Sequence, residues 1–438
     1  MVSRGRFCER PKRGCSLREG PTTLIANGIG TRRIGEVAPV QTGFAFKSGW
    51  FVKSGVRLLR NTNIHQGFLD WDDTVFIDRD LLSRFRDFLL NDRDIVLTLD
   101  RPIVANGLKV ARIVADDLPG FINQRVARFK LDSDQLDAAY FYAFLRSPQF
   151  IDAIRGHDQS LGVPHISPAQ VERVELPLPS VFTQRRIAAE LNDSLASVDA
   201  ARAAAEARLA AAEALPAAYL RQVFDASEAS GWPRLAIETL GDPSRGDTVQ
   251  TGPFGAQLPS SEFKSEGVPV LNIGNVKNGV LNLERLDHVT AEKAEDLDRY
   301  RLREGDMLFT RSGSVGRSAV VDAGCAGWLM SYHLLRVAFD RRRVEPGFIS
   351  AAVRGDAAVL SQVRHAAGRG ATRDGINAPI LAALKVPVPS LDVQRRVLAD
   401  LSRRLEASES VAARCREEIG AVEALPAAVL RAAFNGDS

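Results

Sequence analysis

Two stretches of this chain share one pattern of apolar positions. Ile187, Leu191, Leu195 and Val198 follow at intervals of four, four and three, and Val397, Leu401, Leu405 and Ser408 repeat those intervals. The stripe resumes at Ala205, Leu209 and Ala212, and in the second copy at Cys415, Ile419 and Val422. Such spacing predicts one face of an α-helix. The flanks match as well: Leu176-Pro177-Leu178-Pro179-Ser180 answers Val386-Pro387-Val388-Pro389-Ser390, Gln184-Arg185-Arg186 answers Gln394-Arg395-Arg396, and Glu213-Ala214-Leu215-Pro216 answers Glu423-Ala424-Leu425-Pro426. The offset stays at 210 residues throughout. An insertion would rotate the apolar face away from its partner, so an ungapped register implies one structural unit used twice.

Ser180 and Ser390 are the expected N-caps, since each follows prolines that cannot continue a helix. Pro216 and Pro426 are expected to kink or restart the helix near its end. From Val181 to Glu213 the helix would run about 50 Å at ~1.5 Å per residue. Alanines between Ala200 and Ala212 favour helix and allow close approach of two backbones. The simplest arrangement is two long helices packed on each other.

The segments between these blocks resemble one another more faintly. Gln41-Thr42-Gly43 recurs as Gln250-Thr251-Gly252, and Val56, Leu58, Leu59, Asn63, Gly67 and Leu69 recur as Val268, Val270, Leu271, Asn275, Gly279 and Leu281. Asp94-Ile95-Val96-Leu97-Thr98 answers Asp306-Met307-Leu308-Phe309-Thr310, a short apolar run that reads as a buried strand. Strand-like runs at Val110 to Val114 and Ser318 to Val321, with helical stretches at Leu136 to Leu145 and Phe348 to Val353, predict mixed α+β domains. The expected layout is a basic extension at 1–30, a first domain at 31–175, a helix at 176–227, a second domain at 228–385 and a second helix at 386–438.

Composition narrows the class. A chain of 438 residues, 45% hydrophobic and 25% charged, has the make-up of a globular protein with two or three cores. Its 57 basic residues nearly balance 54 acidic ones, so any basic surface must be local. Cys8, Cys15, Cys325 and Cys415 fit no zinc spacing, which points to a reducing cytoplasm. The Arg/Gly/Pro-rich first residues contain no apolar run suited to a signal peptide or a membrane span.

Two polar loops per domain carry the candidate chemistry. Arg311-Ser312-Gly313-Ser314-Val315-Gly316-Arg317 sets glycines between arginines, which suits close backbone approach to phosphate; Leu99-Asp100-Arg101-Pro102 stands in its place in the first domain. Ahead of each long helix lie Arg155, His157, Gln159 and His165, and Arg369, Thr372 and Arg373, types able to hydrogen-bond base edges. Arg60, Asn63, Arg101, Asn275, Arg311, Ser312, Ser314 and Arg317 complete the DNA-contact candidates.

Catalytic signatures are missing. No Gly-Lys dipeptide exists for a phosphate loop, and no Pro-Pro pair for the adenine-methyltransferase tetrapeptide. Glu262 and Lys264 have a nuclease-like spacing but lack a preceding Pro-Asp, and six histidines show no metal-ligand spacing. No catalytic residue, cofactor site or metal site is expected.

The order of variable segment, Pro-rich lead-in, Gln-Arg-Arg helix, second variable segment and second copy resembles the DNA-specificity subunit of type I restriction-modification systems. The resemblance covers Thr31 to Asn435 and rests on the paired lead-ins with Gln184 and Gln394, the run Asp306 to Arg317, and Gly370-Ala371-Thr372-Arg373. It implies two target-recognition domains reading the halves of a split DNA site, separated by two antiparallel helices that form a coiled-coil spacer. It further implies a subunit without activity of its own, holding two methyltransferase subunits that bind S-adenosylmethionine, with translocase-nuclease subunits joining for cleavage in phage defence. An internal pseudo-two-fold axis suits such a bipartite target. The alternatives are the specificity partner of a methylation-only or phage-exclusion system, a nuclease using Glu262 and Lys264, and a structural adaptor that never meets DNA.

Overall fold

In the computed structural model the described residues are 29–105, 107–155, 165–277, 279–311, 317–367 and 375–434. The chain divides into two compact units, Met1–Ala205 with Glu418–Ser438, and Glu206–Glu417. The repeated blocks form two helices, α1 (Val181–Asp225) and α2 (Leu391–Phe434), and each unit holds part of both.

Each unit contains the same α+β domain. In the first, β1 (Val40–Thr42), β2 (Ile95–Thr98), β3 (Val110–Arg112) and β4 (Val126–Phe129) form an antiparallel sheet in the order β1-β4-β2-β3. In the second, β5 (Val249–Thr251), β6 (Met307–Thr310), β7 (Ser318–Val320) and β8 (Leu334–Val337) repeat that order as β5-β8-β6-β7. A second sheet follows suit: Gly120–Ile122 runs parallel to Val56–Leu59, which pairs with Val75–Ile77, just as Leu329–Met330 runs parallel to Val268–Leu271, which pairs with Asp287–Val289. β2 and β6 are buried along their whole length, which explains their unbroken apolar runs.

The faint repeats have backbone causes. A Cβ on Gly43 would lie 2.2 Å from the Ile122 carbonyl oxygen, and one on Gly252 would lie 2.1 Å from that of Ser331. Gly67 and Gly279 both adopt φ of +96°, where a side chain is strained.

The Pro-rich lead-ins belong to the domains rather than to the helices. Glu175–Pro177 pairs with Thr31–Arg33, and Lys385–Pro387 with Arg234–Ala236, so the expected boundaries at 175 and 385 fall inside strands. Ser180 caps as expected, accepting from Thr183 N–H at 3.3 Å. Each helix is then fastened by its buried glutamine. Gln184 accepts from Asp137 N–H at 2.8 Å and donates to the carbonyls of Gln135 and Pro179, both at 2.8 Å. Gln394 accepts from Glu345 N–H at 2.9 Å and donates to Arg343 and Pro389 at 3.1 and 2.8 Å.

The prolines do not restart the helices, since α1 continues through Pro216 and α2 through Pro426. An interior proline costs about 3 kcal/mol, whereas burying a large apolar side chain returns about 1.5 to 3 kcal/mol. Beyond Pro216, Leu220 and Phe224 enter the second unit's core, and beyond Pro426, Leu430 and Phe434 enter the first unit's. Two such burials offset the proline in each case. Phe224 packs on Phe348 at 5.6 Å and Phe434 on Tyr140 at 5.3 Å, equivalent positions of the two domains.

Within the second unit the helices run antiparallel. Arg416 reaches Glu213 at 3.0 Å, Arg404 reaches Gln222 at 3.3 Å, and Arg396 reaches Glu228 at 3.1 Å, so numbers fall along α2 as they rise along α1 and just beyond it. In the first unit, Leu430, Ala433 and Phe434 of α2 share a core with Ile187, Ala188 and Leu191 of α1.

Candidate nucleic-acid interface

One end of each four-stranded sheet gathers the polar loops. It is the end where β2 and β6 finish and where β3, β4, β7 and β8 begin. Ile166 N–H donates to the Leu99 carbonyl at 2.9 Å, and Ile376 N–H donates to the Arg311 carbonyl at 2.9 Å. The two loops that sequence flagged separately in each domain therefore leave from adjacent backbone. In the first domain Asp100 and His165 also form a bridge.

A third loop joins them. Gly67 N–H donates to the Val110 carbonyl at 2.9 Å, and Gly279 N–H donates to that of Ser318 at 2.8 Å, which ties this turn to the start of β3 or β7. The turn tips expose Phe68 (58% accessible) in one domain and Val280 (63%) in the other. His65 stacks on Phe68 with ring centroids 5.0 Å apart, and Lys277 occupies the matching place in the second domain. The backbone is shared while the side chains differ.

Ahead of β4 and β8 the difference recurs. Arg125, exposed, lies 3.6 Å from Asp100, whereas the second domain has Tyr332 and His333 with rings 3.7 Å apart. Arg311 donates to the Tyr332 carbonyl at 3.1 Å and lies 5.8 Å from the ring of exposed Phe254. An exposed guanidinium beside aromatic faces suits phosphate contact and base stacking alike. Burial, reinforced by the Arg311 charge, holds the His333 imidazole below the usual histidine range, so its neutral form prevails at pH 7.

Several candidates have other work. Asn63 is buried, with Oδ1 accepting from Arg60 N–H at 3.0 Å and Nδ2 donating to the Asp70 carbonyl at 3.0 Å. Asn275 is buried likewise, accepting from Asn272 N–H at 2.7 Å and donating to Asn282 and Arg285 carbonyls, both at 2.8 Å. Both are corrected to residues that hold the exposed turn in shape, because side chains so enclosed and satisfied cannot reach a base edge. Arg60 is tied to Asp73 at 2.7 Å. Arg155 closes the helix Pro148–Arg155 and pairs with Asp152 at 3.1 Å on the surface. Arg101 is exposed with φ of +46°, His165 is exposed, and Arg317 is half-buried at the start of β7. His157, Gln159, Ser312, Ser314, Arg369, Thr372 and Arg373 lie outside the described residues.

Sequence reasoning missed Phe68, Arg125, Phe254, Tyr332 and His333. Isolated exposed aromatics carry no periodic signal, so only their placement at this end marks them. Glu262 and Lys264 belong elsewhere: Lys264 bridges to His288 beside the second sheet, and no metal-holding group of acidic, histidine or cysteine side chains occurs among the described residues. Among those residues no helix is long and apolar enough to cross a membrane.

No family model matches the chain. Individual proteins do. The chain is 42% identical over 161 residues to the type I restriction enzyme EcoAI specificity subunit of Escherichia coli, a match covering 37% of this chain and 27% of that protein. It is 30% identical over 163 residues to the MjaVIII specificity subunit of Methanocaldococcus jannaschii, covering 36% of this chain and 37% of that one. These stronger matches thus span well under half of either relative. The EcoBI specificity subunit of Escherichia coli aligns more distantly but more fully, 22% identical over 92% of this chain and 84% of its own. Among solved structures, the HsdS subunit of Thermoanaerobacter tengcongensis superposes with a TM-score of 0.62 at 18% identity, covering 96% of this chain and all of its own. A chain from a type I R-M system structure concerned with complex assembly and conformational transition gives 0.68 at 17% identity, covering 95% of this chain and all of its own. Both share its fold.

Proposed function

We propose that this chain, a relative of the specificity subunits of type I restriction enzymes in sequence and in fold, is the subunit that reads a bipartite DNA site for such a complex. One observation carries the reading: the two domains place the same backbone at the same sheet end and dress it with different side chains. His65, Phe68 and Arg125 in the first domain stand where Lys277, Val280 and His333 stand in the second. A duplicated scaffold with divergent tips suits two unlike half-sites, because phosphate contacts position while base-edge contacts specify.

In this reading the chain is not itself an enzyme. It holds two methyltransferase subunits, which bind S-adenosylmethionine, and translocase-nuclease subunits join them on double-stranded DNA in the cytoplasm. The helices supply the continuous element linking the two reading domains. The test replaces 31–175 by the matching segment of a related specificity subunit and maps methylated adenines across a genome. One half of the target should change while the other stays; a change in both halves would end the two-domain reading.

A further inference from the structure

The second domain has an arginine-rich cleft at the opposite end of its four-stranded sheet, where β6 begins and β8 ends. Its volume is about 690 Å³, the size of a small-molecule site. Arg336 of β8 lines it and is 3% exposed. Among the described residues the Arg336 side chain makes no hydrogen bond, and its Nε is buried and unsatisfied. Gln250, across the strand pair and also in the lining, has a buried Oε1 that accepts no hydrogen bond from the described residues.

The first domain supplies an internal comparison. Arg128 occupies the same place on β4, between Gln41 and Val96 as Arg336 lies between Gln250 and Leu308. Both arginines leave Nε buried and without a partner, but the two terminal nitrogens of Arg128 are used within its own domain: they donate to Gln41 Oε1, to Asp94 at 3.1 Å, and to the Leu89 and Asp87 carbonyls. In the second domain the equivalent acid, Asp306, is taken by Arg245 at 3.0 Å, with both side chains almost fully buried. Arg336 feels the charges of Asp306 and Asp247 but forms a salt bridge with neither among the described residues, and its buried guanidinium faces the cavity.

The rest of the lining keeps a positive excess. Asp298 pairs with Arg301 at 3.0 Å, and Glu304 pairs with Arg341 at 3.5 Å. Asp247 remains as a carboxylate against the guanidinium groups of Arg336, Arg303 and Arg299, none of which forms a salt bridge among the described residues, although Arg299 lies 4.7 Å from the Tyr300 ring. Burial, followed by the Arg245 charge, pulls the Arg336 guanidinium down to about 10, the direction an anion in the cleft would reverse. Buried charges demand a partner, and forked guanidinium donors match phosphate oxygens.

We propose that this cleft binds the phosphate group of a small metabolite, with Arg336 at its floor and Arg303 and Arg299 at its mouth. The site is separate from the polar-loop end and does not rest on the DNA reading. The experiment titrates the full chain, in phosphate-free buffer at constant ionic strength, with inorganic phosphate and separately with AMP, followed by phosphorus NMR line width. Saturable broadening is expected, weakened at least about tenfold in Arg303→Glu, since one charge-assisted contact is lost and a repulsive one gained. Arg336→Gln should abolish it; Arg303 is exposed, so Arg303→Glu keeps the test valid if the buried substitution fails to fold. Tighter binding of AMP than of phosphate identifies a nucleotide ligand, and equal binding identifies the phosphate moiety alone. No saturation, unchanged affinity in Arg303→Glu, or a loss of DNA affinity in that variant in phosphate-free buffer would overturn the proposal, the last by making the cleft part of the DNA surface.

Discussion

Gln184→Glu should loosen the first unit alone, and the effect should depend on pH. The substitution preserves shape, so no cavity forms. Gln184 is fully buried, accepts one N–H and donates to two carbonyl oxygens. A carboxylate there keeps the acceptor role but turns a negative oxygen toward the Gln135 and Pro179 carbonyls. The least costly escape is to take up a proton. From an ordinary glutamate pKa of about 4.3, doing so at pH 7 costs about 4 kcal/mol, and the acid still donates only once where the amide donated twice. A domain stable by about 5 to 15 kcal/mol would lose a large share of that. The folded-state pKa is raised above the unfolded one, so the folded form binds the extra proton. The penalty is therefore small below about pH 4.3 and grows as pH rises toward the folded value. Hydrogen exchange followed by mass spectrometry reads it locally, with the peptides around Asp137 and the start of α1 losing protection at pH 7 and largely regaining it near pH 4. Gln394→Glu should do the same around Glu345 and leave the first unit unchanged. Wild-type protection in Gln184→Glu at pH 7, or a loss equal at both pH values, would refute the role given to the glutamine.

Three further outcomes follow from the geometry. Gly252→Ala sets a Cβ 2.1 Å from the Ser331 carbonyl oxygen and should cost at least about 2 kcal/mol of second-unit stability, measured by urea unfolding, whereas Gly255→Ala, with open space around it, should cost little. Arg311→Ala should weaken DNA binding by the assembled complex; a contact to a guanine edge would cost about 1 to 3 kcal/mol at one position, a phosphate contact would lower all sequences alike, and an unchanged methylation pattern and affinity would remove Arg311 from the interface. Because the fold holds His333 below its ordinary value, the unfolded chain gains its proton first on acidification; second-unit stability should fall as pH drops through about 6.5, and His333→Gln should flatten that slope in an unfolding series.

The sequence by itself determined the duplication, the two long helices, the buried strands at Ile95–Thr98 and Met307–Thr310, and the pairing of loops between the domains. Each of these is local or periodic: an apolar stripe at helical spacing, an unbroken apolar run, a glycine wherever a carbonyl approaches or φ is positive. Tertiary structure alone decided the rest. The prolines at 216 and 426 do not end their helices, because Leu220, Phe224, Leu430 and Phe434 beyond them gain more from burial in domain cores than the missing hydrogen bond costs. Gln184 and Gln394 stood in the sequence only as members of a repeated motif, while contacts about fifty residues away make them the fastenings of helix to domain. Asn63 and Asn275 stood among the DNA-contact candidates, while the turn around each consumes every polar side-chain atom it has. Arg128 and Arg336 occupy the same strand position with different fates, one hydrogen-bonded through both terminal nitrogens and one facing a cleft, because Arg245 bonds the acid whose counterpart Arg128 holds in the first domain. A hydrogen-bond partner distant in sequence leaves no periodic trace, so these roles became legible only once the chain was folded.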